Sequence, residues 1–60
     1  MIEKEKWMRK GAFVRANGKP GIILKMEENT IRDVDYVYYI TVKTEERTGR
    51  YHPNDIEKLD

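Results

Sequence analysis

Hydrophobic and polar positions along this chain repeat mainly with a period of two, the spacing of a strand whose side chains alternate between faces. The pattern is clearest in residues 11–26, GAFVRANGKPGIILKM. Here two short apolar runs flank Asn17-Gly18-Lys19-Pro20-Gly21. Asn-Gly tolerates φ > 0 at both positions and so predicts a type I′ hairpin turn. Val14 and Ala16 alternate with Phe13 and Arg15 in the first strand. Pro20 stands at the start of the second, where a missing N–H does least harm. Ile22-Ile23-Leu24 breaks the alternation, which predicts a bend or a β-bulge.

Residues 28–35 (ENTIRDVD) read as a polar connection tacked down by Ile31, the most mobile part of the middle of the chain. Residues 36–43 (YVYYITVK) form the clearest strand, β-branched or aromatic at every position but Lys43. The more apolar face, Tyr36, Tyr38, Ile40 and Val42, is assigned inward. Residues 44–49 read as a turn with Gly49 at φ > 0, and 50–52 as a fourth strand. Pro53-Asn54-Asp55-Ile56 predicts one 3₁₀ turn, and 57–59 a last short strand with Ile56 and Leu59 as anchors. Residues 1–10 are polar and helix-tolerant, with Glu5 and Arg9 in the favourable i, i+4 order. They form either a short helix capping the core through Trp7 and Met8, or an arm that orders on binding. The expected organisation is a helix or arm over 1–10 and a five-stranded all-β unit over 11–60.

Composition supports sheet: of 23 hydrophobic residues, ten are Val or Ile and four are Tyr. A chain of 60 residues without cysteine has little core and no disulfide to reinforce it. No signal peptide or membrane-length apolar run is visible, so a cytoplasmic protein is expected. The net charge of +1 conceals a division. Residues 1–25 hold seven basic side chains against two acidic, a net +5; residues 26–46 hold two against six, a net −4. Either distant strands pair these charges across the sheet, or one surface is basic.

The order of elements resembles the SH3-like barrels, and within them the Tudor-like and KOW-like groups. Gly11, Val14, Gly18, Gly21, Ile23 and Met26 match their opening pattern. Asp55-Ile56-Glu57-Lys58-Leu59 matches their closing one. Tyr38-Tyr39-Ile40-Thr41-Val42 is similar to the middle strand of the RNA-polymerase-interacting domain of CarD-like regulators and transcription-repair coupling factors. The resemblance covers residues 10–59. It implies a five-stranded barrel with a 3₁₀ turn before its last strand, and a partner contacted along a strand edge.

Candidate chemistry is sparse. Ser and Cys are absent, and His52 with Asp55 has no nucleophile at readable spacing. The acid pairs Glu27-Glu28, Asp33-x-Asp35 and Glu45-Glu46 match no calcium-loop spacing, so neither metal nor cofactor is expected. Binding remains. Phe13, Tyr39 and Tyr51 are the candidate anchors for a protein partner beside a free strand edge. The alternative is a nucleic acid gripped by Arg15, Lys19, Lys25, Arg47 and Arg50. A homo-oligomer is compatible with either.

Overall fold

A computed structural model describes residues 1–59 of the chain. Antiparallel strands build it: β1 (Ile2–Glu3), β2 (Phe13–Ala16), β3 (Lys19–Ile31), β4 (Val34–Thr44), β5 (Thr48–Tyr51) and β6 (Ile56–Lys58). They form one curled half-barrel sheet in the order β1-β4-β3-β2-β6, with β5 also on β4. A 3₁₀ turn over Pro53–Asp55 joins β5 to β6. Among the described residues, no helix is long and apolar enough to cross a membrane.

The first hairpin turns at Asn17 and Gly18, with φ of 51° and 81°, as the Asn-Gly pair predicts. β3 then crosses β4 closely at Gly21. A Cβ there would lie 2.7 Å from both the Lys43 carbonyl oxygen and Val42 Cγ1. The bend expected at Ile22-Ile23-Leu24 is a register shift between Ile23 and Lys25. Leu24 is the extra residue, so Ile23 stays buried while Leu24 turns outward.

Several expectations are corrected. Residues 28–35 form strand and a two-residue turn, not a loose connection: β3 runs to Ile31 and β4 starts at Val34. The turn residues are Arg32 (φ 53°) and Asp33 (φ 67°). A left-handed pair without glycine carries no strong turn signal. The inward face of β4 also changes along its length. A second register shift, between Glu27 and Glu28, makes Tyr38 the extra residue. Val37, Ile40, Val42 and Thr44 are consequently the buried positions, while Tyr36 and Tyr38 are only half-buried. Gly49 does not adopt positive φ; it pairs with Val42 inside β5. A Cβ on Gly49 would come within 3.0 Å of the Tyr51 ring, which explains the glycine by packing.

Residues 1–10 form no helix. Ile2 and Glu3 pair with Val37 and Tyr36 as a sixth strand, and the Lys4 amide donates to the Asp35 carbonyl at 2.8 Å. Ten residues are too few for a self-supporting helix in water, whereas the edge of β4 offers ready partners. The segment closes the core with Met8, which is 1% exposed, and Trp7 packs half-buried against it. The core comprises Met8, Val14, Ala16, Ile23, Val37, Ile40, Val42 and Ile56.

Candidate interaction surface

Register places the candidate residues on the two faces of the sheet. Val14 and Ala16 occupy the inner face of β2, so Phe13 and Arg15 project outward. Phe13 lies opposite Ile22, Ile22 opposite Lys43, and Lys43 opposite Thr48, which defines one outer row across β2, β3, β4 and β5. A second outer row runs Lys25, Thr41, Arg50. Beyond it, Tyr39 stands opposite Glu27.

The three predicted aromatic anchors do not converge. Phe13 is 67% exposed and Tyr39 38% exposed, both on the outer face but in separate rows. Tyr51 pairs with Ile40 and packs against the core. The exposed face of Tyr39 is already occupied: the Arg50 guanidinium carbon lies 3.8 Å from its ring centroid. Arg50 also forks onto Glu27, with Nε donating to Oε2 at 2.6 Å and Nη2 to Oε1 at 2.8 Å. These hydrogen bonds hold the Glu27 carboxyl below its ordinary range and raise the Arg50 guanidinium above its own. His52 meets Tyr39 edge-on, with centroids 6.4 Å apart. Its Nδ1 accepts from the Asn54 amide, so this imidazole caps the 3₁₀ turn.

The basic set is divided as well. Lys19 donates to Glu46 at 2.6 Å, which lowers the Glu46 pKa. Arg15 faces Glu57 across β2 and β6. Lys25 shares the outer row of the engaged Arg50, and Arg47 lies in the turn after β4 beside Glu46. Lys4–Glu28 and Lys19–Glu46 each join the basic segment 1–25 to the acidic segment 26–46. Two of the seven basic side chains of the first segment are thus paired with acids of the second.

Besides the outer edges of the short strands β1, β5 and β6, a longer edge is open among the described residues. β3 pairs with β2 only over Lys19–Ile22, and the backbone of Ile23 still bonds Gly11 and Ala12. From residue 25 to 31, β3 pairs with β4 on one side and, among the described residues, with no strand on the other. Ile31 and Val34 close the two-residue turn, which aims the Thr30 amide away from β4. That amide takes the Asn29 side-chain oxygen instead, at 2.9 Å. The composition of 25–31 does not announce an edge; only the register shows it. No family model, curated protein or solved structure matches the chain.

Proposed function

We propose that this chain is a small, non-catalytic binding module that engages a protein partner along a strand edge and an exposed aromatic surface. The observation that carries the reading is the open edge of β3 over residues 25–31. Among the described residues, its outward backbone groups pair with no strand, and the one local bond, from the Thr30 amide to the Asn29 side chain, is exchangeable for that of an added strand. The reading includes an SH3-like, Tudor-like barrel formed by β2–β6. Its support is the pairing of the first of these strands with the last, the antiparallel sequence β2-β3-β4-β5, and the 3₁₀ turn before β6. β1 is then an addition that covers part of β4. The similarity of the central strand to CarD-like domains directs the search for a partner to cytoplasmic transcription or repair machinery. The nucleic-acid alternative draws less support, because Lys19 and Arg50 are engaged by acids.

Thr30→Pro tests the edge. It removes the outward amide, and with it the exposed Thr30 hydroxyl bond to Asp35, without removing a β3–β4 backbone ladder bond. Immobilised wild-type protein is expected to retain a partner that Thr30→Pro loses at unchanged fold. Retention of the same partner by both variants would contradict the edge reading. A nucleic-acid ligand whose binding weakens steeply with salt would favour the alternative.

A further inference from the structure

Phe13 is an outlier among the large apolar side chains. It is the most exposed of them, at 67%, and contributes nothing to the core that Val14 and Ala16 supply from the same strand. Two open hollows flank it. One, of about 320 Å³, is walled by Pro20, Ile22 and Lys43; the other, of about 490 Å³, by Trp7, Arg9 and Lys10. Phe13 and Leu59 line both, so these two side chains form a ridge between them. Each hollow is large enough to take an apolar side chain.

The surroundings of the ridge are basic. Among the described residues, Arg9, Lys10, Lys43 and Lys58 line the hollows, against the one acid Glu45. Among the described residues, Arg9, Lys10 and Lys43 form no ion pair, whereas Lys4, Lys19 and Arg50 each hold a glutamate. Apolar side chains with the unpaired Arg9, Lys10 and Lys43 at the rim complement a ligand of the opposite charge carrying its own apolar side chains.

We infer that the Phe13–Leu59 ridge is a docking surface for an acidic peptide segment of a partner protein, with apolar side chains entering the two hollows. This rests on the protein-binding reading above and assigns it a surface and a partner chemistry. A peptide fits better than a nucleic acid. The ridge offers one exposed aromatic, Phe13, beside Leu59, Pro20 and Ile22, and the other aromatic at the hollows, Trp7, is half-buried against the core, whereas single-stranded nucleic acid is held by successive exposed stacking platforms.

The test uses a fluorescein-labelled peptide that alternates acidic pairs with leucine and phenylalanine, read by anisotropy. A counterpart with lysine for each acid and an oligothymidylate serve as the other arms. Wild-type protein is expected to bind the acidic peptide in preference to both. Phe13→Ala should weaken binding about 30-fold, as for a hot-spot aromatic. Lys10→Glu with Lys43→Glu should weaken it about tenfold at low salt, an effect that shrinks as salt rises. Melting curves confirm folding in both variants. No binding by wild-type protein, wild-type affinity in Phe13→Ala, or tighter binding of the oligothymidylate overturns the inference. If the peptide is ignored but a partner is captured and lost in Thr30→Pro, this surface alone fails. If neither occurs, the binding-module reading fails with it.

Discussion

Met8→Ala is the most informative perturbation of the fold. Met8 is 1% exposed and is the only buried core residue from the first ten positions. Its Sδ also accepts the Glu5 amide at 3.4 Å, and its own amide donates to the Glu5 carbonyl at 3.0 Å. Truncation removes the buried thioether and leaves a void in the core. Buried Met→Ala changes cost about 2–5 kcal/mol. A domain of this length holds about 3–9 kcal/mol in total. At about 4–8 °C per kcal/mol for so small a domain, the melting midpoint should fall by about 8–40 °C, the upper end amounting to unfolding at room temperature. Met8→Leu conserves volume and should cost less than about 1.5 kcal/mol. Trp7→Ala, from a half-buried position, should cost about 1–2 kcal/mol, less than the range for a fully buried tryptophan. Thermal melts followed by circular dichroism measure all three. A Met8→Ala midpoint within about 3 °C of wild type, on the same slope, would refute the claim that residues 1–10 complete the core. A larger loss in Trp7→Ala than in Met8→Ala would show that the wrong side chain has been assigned as the plug.

Three further predictions concern the sheet. Gly21→Ala forces a Cβ against the Lys43 carbonyl oxygen and Val42 Cγ1, both 2.7 Å away, and should cost about 1–3 kcal/mol in a chemical denaturation curve. Replacing Arg32-Asp33 by Asn-Gly relieves two left-handed non-glycine residues and should raise the melting midpoint by several degrees, worth about 1 kcal/mol. Glu27 and Glu46 titrate below the ordinary carboxylate value of 4.5 in the folded chain, owing to Arg50 and Lys19. Their stabilisation is therefore complete above that value and lost as pH falls through the folded pKa values. The melting midpoint should drop on acidification, and Glu27→Gln with Glu46→Gln should flatten that drop while lowering stability at neutral pH; high salt should shrink both effects.

Local signals carried much of the architecture. Asn17-Gly18 announces its turn because it meets a steric requirement that few other pairs meet. The triple Ile22-Ile23-Leu24 announces a bulge because strict alternation cannot accommodate it. Pro53-Asn54-Asp55 likewise reads as a 3₁₀ turn. What stayed hidden depends on partners distant in sequence. Tyr38 is the extra residue of β4 only because of how β3 is aligned against it, and this exchanges Tyr36 for Val37 in the core. Arg32-Asp33 adopts a hairpin turn that its composition does not favour. Gly49 looks like a turn residue, but its role is to make room for the Tyr51 ring. For the candidate site, the aromatics and cations could be enumerated from sequence, but not their pairing. Arg50 covers Tyr39, Lys19 is spent on Glu46, and Tyr51 faces the core. Phe13 alone among the expected anchors stands free, and its neighbours Leu59 and Trp7 come from the two ends of the chain.

Site-specific photo-cross-linking tests the binding-module claim most directly. A benzophenone side chain is placed at Thr30 on the open β3 edge, at Lys43 beside the Phe13 ridge, or at Asn54 in the 3₁₀ turn. Adducts with the same discrete protein are expected from Thr30 and Lys43, and none with it from Asn54. Adducts from Asn54 alone, with nucleic acid in place of protein, or from no position would contradict the claim.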